Sequence, residues 1–233
     1  MREHLSVRKF TDEQILPETL RDIIEAGRAA STWRNIQSYS IIIVRDPAHR
    51  HQIAQWTGMP WVETCAEFLV FVGDLHRAGI AAVEYGTQIE TKGAEPLLVT
   101  AVDAALAAQN TLLAAESLGY GGVFIGYVRN SSAEVSALLG LPDHTFPLFG
   151  LCLGRPQAKQ PAKARLPYEA VVFEDRYGQI DPSDLSGYDK TQADYLAAIG
   201  APAGMPWTKI ASSMWAGPGQ QSSTENLKAK GLL

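Results

Sequence analysis

The sequence predicts a layered domain of mixed helices and strands, α+β or α/β, and three observations carry that prediction. Short continuous apolar runs, such as Tyr39–Val44 and Phe68–Val72, are β-branched or aromatic and have the length of strands. Between them stand segments with apolar residues at helical spacing, the first at Pro17–Ala29. One segment, Glu95–Leu118, is apolar nearly all round, as a buried helix is.

Taken in order, Leu20, Ile23, Ile24 and Gly27 lie along one face of Pro17–Ala29, and Pro17 suits a first helical turn. Tyr39–Val44 reads as a strand buried on both faces. Pro47 opens a helix to about Trp56, which Gly58-Met59-Pro60 breaks, and Phe68–Val72 is a second buried strand. Glu95–Leu118 carries many alanines that allow another helix to approach, with Gly119 as a C-cap. It is either the centre of a monomer's core or part of a dimer interface, and the pattern does not separate these. Gly121–Gly126 reads as a strand bounded by glycines, and Ser132–Leu139 as a short helix capped by Ser131 or Ser132. Phe146–Gly154 returns as a strand. The order of the strands is not readable.

After Gly154 the composition shifts, and Arg155–Pro167 is an extended connector rich in Pro, Ala, Lys and Gln. The expected division is therefore a core over 1–154 and a C-terminal extension over 155–233. Within the extension, Val171–Glu174 reads as a short strand and Pro182–Ile199 as a helix. Gly200–Pro206 and Gly217–Thr224 read as loops.

Composition narrows the function. With 46% hydrophobic and 19% charged residues the chain is an ordinary globular one. At 233 residues it buries a core without disulfides, so Cys65 and Cys152 are expected as small buried hydrophobes, with thiols that suit a reducing compartment. A net charge of −5 argues against nucleic acid as a partner. The absence of a span of roughly 20 uninterrupted apolar residues argues against a membrane one. Residues 1–12 lack the apolar core of a signal peptide, and the expected location is the cytoplasm. No metal-ligand cluster is expected.

Three clusters are basic or hydroxylic against this acidic background: His4-Leu5-Ser6-Val7-Arg8-Lys9, Ser31-Thr32-Trp33-Arg34-Asn35 with Gln37, and Lys163-Ala164-Arg165. Such residues supply charge-assisted hydrogen bonds to a ligand phosphate.

The first cluster, continued through Phe10-Thr11-Asp12-Glu13, resembles the opening motif of FMN-dependent nitroreductases. Ala107-Ala108-Gln109-Asn110 with Ala114-Ala115-Glu116-Ser117-Leu118-Gly119 resembles their central helix. Gly121–Gly126 with Arg129-Asn130, Pro147–Gly154 and Arg165-Leu166-Pro167 complete five colinear motifs between His4 and Tyr195. Their order is similar to that of the oxygen-insensitive NADPH nitroreductases and NAD(P)H–flavin oxidoreductases. The resemblance implies an α+β, nitroreductase-like fold, a mostly antiparallel sheet wrapped by helices in a domain-entwined homodimer. It implies FMN as cofactor and NADPH or NADH as electron donor in a ping-pong reaction. Acceptors would be small molecules: nitroaromatics, quinones or free flavins.

Carried over by position, the resemblance implies that His4, Ser6, Arg8, Lys163 and Arg165 hold FMN, chiefly its phosphate. Ser31 and Thr32 would reach the flavin, and Phe124, Ile125 and Gly126 would lie along its ring. Trp33, Arg34, Glu95 and Tyr127 become candidates on the substrate side. No side chain is assigned as a catalytic acid or nucleophile, because the flavin carries the chemistry. Departures include Leu5 where the motif has Arg, no amide side chain near Met59-Pro60, Tyr127 where relatives often have Gly, and no arginine beyond Arg176. They leave two alternatives open: a specialised dehalogenating or biosynthetic flavoenzyme, and a flavin-binding protein without turnover.

Overall fold

The computed structural model describes residues 3–158, 161–214, 216 and 221–233. The chain forms two compact units, one of Ser6–Ala158 with Gln220–Leu233, the other of Met1–Leu5 with Lys159–Gly219. Strands β1 (Tyr39–Ile43), β2 (Glu67–Asp74), β3 (Gly121–Ile125) and β4 (Thr145–Gly154) lie in the larger unit. Among the described residues the helices are α1 (Pro17–Arg28), α2 (Pro47–Thr57), α3 (Trp61–Thr64), α4 (His76–Glu84), α5 (Ala94–Ser117), α6 (Ser132–Leu138), α7 (Pro182–Ala198), α8 (Trp207–Met214) and α9 (Gln221–Ala229). Only α7 and α8 belong to the smaller unit.

The larger unit is built on one antiparallel sheet of order β1-β2-β4-β3. Alternation along β2 turns Leu69 and Phe71 toward α5, where they join Leu151, Leu153, Ala104, Ala107, Ala108 and Leu112 in one buried cluster. The intervening Phe68, Val70 and Val72 are also buried, on the face that α6 and the 3-10 turn Gly126–Ser131 cover. The alanines of α5 do admit a second helix. A Cβ on Gly27 of α1 would stand 2.0 Å from Thr111 Oγ1 on α5, so that crossing tolerates only glycine.

By length and composition α5 could cross a membrane, which the uninterrupted-run test missed. Here one face of it forms the core of the sheet, while Leu98, Val102 and Leu106 are exposed.

Three further expectations change. Tyr39–Ile43 is an edge strand with four of its five residues half-buried, because the sheet order puts nothing on its outer side. Val171–Glu174 forms no strand; it follows a 3-10 turn at Tyr168–Ala170 and finds no ladder partner. Of the loop expected at Gly217–Thr224, residues 217–220 lie outside the described residues and the remainder opens α9.

The last residues dock on the larger unit. Asn226 Nδ2 donates to Ser136 Oγ at 3.2 Å, and Thr91 Oγ1 donates to the Gly231 carbonyl at 2.7 Å. His144 N–H donates to the Lys230 carbonyl at 2.9 Å, and Leu232 is buried. In the smaller unit, Pro182 and the Asp181 carboxylate start α7, and Asp189 accepts from both N–H and hydroxyl of Thr208 to fix the start of α8. Tyr188 meets Trp207 edge-on with ring centres 5.7 Å apart.

Candidate functional site

The first cluster is held by β3. Ser6 forms an isolated parallel bridge with Gly122, and Val7 N–H donates to the Gly122 carbonyl at 2.9 Å. Val7 is buried, so tightly that a Cβ on Gly121 would come within 2.6 Å of Val7 Cγ2. In an extended segment successive side chains alternate, so an inward Val7 puts Ser6 and Arg8 together on the other side. Arg8 is exposed, and its guanidinium carbon lies 5.6 Å from the centre of the Trp61 ring, which gives it a platform.

The segment then continues along the chain after β4. Gln157 N–H donates to the Lys9 carbonyl and Thr11 N–H to the Arg155 carbonyl. Arg155 grips Glu13 through Nη2 at 2.7 Å and Nε at 3.0 Å, and its hydrogen bond holds the Glu13 carboxyl below its ordinary value. Trp61 and the Glu13–Arg155 pair were not predicted from the sequence.

Along β3, Ile125 is buried while Phe124 is 37% exposed and Tyr127 is 51% exposed. Phe124 is steadied edge-on by Phe149 at 5.5 Å. Gly126 opens the 3-10 turn, where Arg129 Nη1 donates at 2.6 Å to the carbonyl of Leu148. Leu148 is the extra residue of a bulge in β4, between Phe149 opposite Phe71 and Pro147 opposite Val72. Arg129 thus satisfies an acceptor at the bulge and braces the end of β3.

The second cluster is organised by a residue the sequence reading missed. Asp103, buried in the middle of α5, accepts from Trp33 N–H at 2.9 Å through one oxygen and from Ser38 N–H at 3.0 Å through the other. Between these points Arg34, Asn35 and Gln37 have φ of 47°, 58° and 57°. Three non-glycine residues in the left-handed region are costly and persist only where the surroundings fix them. A carboxylate in the middle of a mostly apolar helix, which must find partners, was the available signal. Beside this loop lies a cavity of about 240 Å³ between Ser31, Thr32 and Trp33 and the exposed face of α5 at Leu98, Val102 and Leu106. A cavity of about 490 Å³ on the loop's other side is lined by Arg28, Gln37, Tyr39, Ser40 and Arg77.

These clusters do not form one site within the larger unit. The loop is tied to α5 at Asp103, whereas a Cβ on Gly122, beside Ser6, would be 3.0 Å from Leu112. Nine positions along a helix separate the two anchors, roughly 13 Å at the helical rise. Glu95 lies exposed in the first turn of α5. His4, Lys163 and Arg165 belong to the smaller unit, with His4 half-buried and both cations exposed.

A four-stranded antiparallel sheet with helices on both faces, its edge strand extended by a hydroxyl- and guanidinium-bearing segment, defines an α+β fold. The chain belongs to the nitroreductase family: the profile of the Nitroreductase family matches residues 1–155, and that of its C-terminal domain matches residues 163–233. It is 40% identical to the NADPH-flavin oxidoreductase of Vibrio harveyi, over 98% of this chain and 95% of that protein. It is 42% identical to the oxygen-insensitive NADPH nitroreductase of Salmonella typhimurium, over 85% of this chain and 81% of that one. The crystal structure of the NADPH:FMN oxidoreductase from Vibrio harveyi complexed with NAD+ superposes with a TM-score of 0.90 at 39% identity, covering 99% of this chain and 95% of that one. The α+β, antiparallel, nitroreductase-like fold expected from the sequence is the fold found.

Proposed function

We propose that this chain is a cytoplasmic, homodimeric FMN-dependent oxidoreductase that draws on NADPH or NADH and reduces small electron-poor acceptors: nitroaromatics, quinones or free flavins. The observation that carries the reading is the Ser6–Arg8 pair, turned to one side of a segment stitched to β3 while Val7 is turned in. A hydroxyl and a guanidinium two residues apart suit a phosphate monoester, and Trp61 keeps the guanidinium extended. The residues present therefore fit the phosphate end of FMN. The names of the relatives, which pair NADPH with flavin or nitro compounds, support the same reading.

A bound flavin would supply the redox chemistry, accepting hydride from the nicotinamide and passing electrons to the acceptor. The chain's own residues bind and orient. Ser6 and Arg8 hold the phosphate end, and Ser31 and Thr32 offer hydroxyls; His4, Lys163 and Arg165 are assigned to the same ligand from the resemblance in sequence alone. Phe124, Ile125 and Gly126 present a flat, glycine-ended strand to a ring, with Trp33, Arg34, Glu95 and Tyr127 around the acceptor. The separation of the clusters along α5 and its exposed Leu98, Val102 and Leu106 support a site completed by a second copy. Donor and acceptor using one position in turn give ping-pong kinetics, read as parallel double-reciprocal lines.

The test is direct. Purified protein is expected to show flavin absorbance that NADPH or NADH bleaches within the mixing time of a stopped-flow instrument. Arg8→Ala is expected to weaken FMN binding about tenfold or more, as loss of a charge-assisted phosphate contact does. Protein with no flavin band that also binds no added FMN refutes the reading.

A further inference from the structure

Arg34 lies in the loop between α1 and β1 with its hydrogen-bonding capacity unused. Its guanidinium carbon stands 5.2 Å from the centre of the Trp33 ring, and no acceptor among the described residues bonds it. A cation–π contact occupies none of the N–H donors. Other guanidiniums of the larger unit are engaged: Arg28 with Glu25, Arg77 with the Gln37 carbonyl, Arg129 with the Leu148 carbonyl and Arg155 with Glu13.

The backbone makes this arginine costly. At φ 47° a residue with a Cβ occupies the left-handed region, which glycine or asparagine enters more cheaply. Asn35, at 58°, is a residue of that kind, and Arg34 is not. The conformation is fixed from both sides. Asp103 accepts from the N–H groups of Trp33 and Ser38, and Arg77 Nη2 donates to the Gln37 carbonyl at 2.7 Å. A loop that only had to turn would be more stable with glycine at position 34. The chain instead holds an unbonded cation at a rigid, exposed position on an exposed indole.

The Trp33 ring walls the cavity of about 240 Å³, which continues along Leu98, Val99, Val102 and Leu106 of α5. Asp103 reaches the cavity too, but both its oxygens are taken by backbone N–H groups. That volume is below the roughly 300 Å³ at which drug-sized sites begin, so it suits a single ring. An apolar wall and an electron-rich indole suit an electron-poor ring, and an unbonded guanidinium suits a carboxylate on that ring.

We propose that Trp33 and Arg34 select aromatic acceptors that carry an anionic substituent, with the ring against the indole and α5 and the substituent on the Arg34 guanidinium. This names the acceptor class of the proposed function and rests on that reading for turnover; the binding preference stands without it. With a second copy over α5, the cavity becomes one wall of the completed site.

The experiment uses the full chain and two acceptors of nearly equal shape, para-nitrobenzoate and the uncharged para-nitrobenzamide. Isothermal titration reads binding, and NADPH-driven reduction reads kcat/KM. Wild type is expected to bind the carboxylate more tightly than the amide. Arg34→Gln is expected to lower the carboxylate-to-amide ratio about tenfold in both measurements, as loss of a hydrogen bond between charged groups does. Arg34→Lys, which keeps the charge but not the fork, is expected to recover part of that ratio. Trp33→Leu is expected to weaken both ligands. Equal binding of the two compounds by wild type, or binding of neither, overturns the proposal. So does an Arg34→Gln ratio equal to that of wild type, including the case in which both ligands weaken together. Preferential, Arg34-dependent binding without reduction of either compound keeps this site and removes the reductase reading.

Discussion

The carboxylate of Asp103, in the middle of α5, accepts a hydrogen bond from the backbone N–H of Trp33 at 2.9 Å. Its second oxygen does the same for Ser38, so one buried side chain holds both ends of a loop with three left-handed non-glycine residues. Asp103→Ala leaves two N–H groups short of an acceptor and releases the loop's strain. We expect a loss of about 3 kcal/mol of stability, the usual cost of two such unmade bonds. On the proposed function, weaker FMN binding should follow through Ser31 and Thr32. Chemical denaturation and flavin titration of the variant read the two effects separately, and unchanged values in both would remove Asp103 from the argument.

Gly122 has an ordinary strand conformation and is needed for space. A Cβ there would stand 2.5 Å from the Cys152 carbonyl oxygen, which is backbone and cannot swing aside. Gly122→Ala should destabilise the larger unit by about 2 kcal/mol. It should also loosen the Ser6 bridge, since Val7 N–H is bonded to the Gly122 carbonyl. Urea unfolding gives the first quantity, and amide exchange at Val7 gives the second.

Glu67 begins β2, and burial raises its carboxyl above the ordinary value of 4.5, against the opposing pull of Arg45 and Arg50. For a raised acid, the favourable contribution is present below the unfolded value and is lost as pH rises through the folded one. Glu67→Gln should therefore be more stable than wild type near neutral pH, with the advantage closing below pH 4.5. Denaturation at a series of pH values measures the gap; a gap that widens toward acid contradicts the assignment.

Leu98, Val102 and Leu106 form an exposed stripe at four-residue spacing on α5. If a second copy covers that stripe, Val102→Asp buries an unpaired charge and should shift the chain toward monomer in analytical ultracentrifugation, with loss of bound flavin. A monomeric wild type at micromolar concentration would leave the stripe without this role.

What could be read from the sequence followed from local chemistry. Pro17 and Pro47 open α1 and α2, apolar runs mark all four strands, and the alanines of α5 admit α1. Nothing local says that β1 is an edge strand, since its run of isoleucines reads the same beside one neighbour or two. Helix α4 was missed because its nine residues are too short for helical periodicity to stand out and carry no capping side chain to mark the start. Helix α9, with the sequence QSSTENLKA, has little apolar content and draws its stability from tertiary partners such as Ser136. At the candidate site, hydroxyls and cations could be picked out by type. The second-rank supports, Trp61 under Arg8, Asp103 under the loop and Arg129 at the bulge, are each distant in sequence from what they hold.

The return of the segment after residue 220 to the larger unit has a consequence for how the protein is made. The residues between 158 and 220 belong to another unit, so α6 and the turn before β4 wait for partners that are translated only after the whole of that insertion. Until Asn226 and Leu232 arrive, the nascent chain holds an otherwise finished sheet with a bare flank, open to chaperones and proteases. A premature stop near residue 220 would leave that flank open for good.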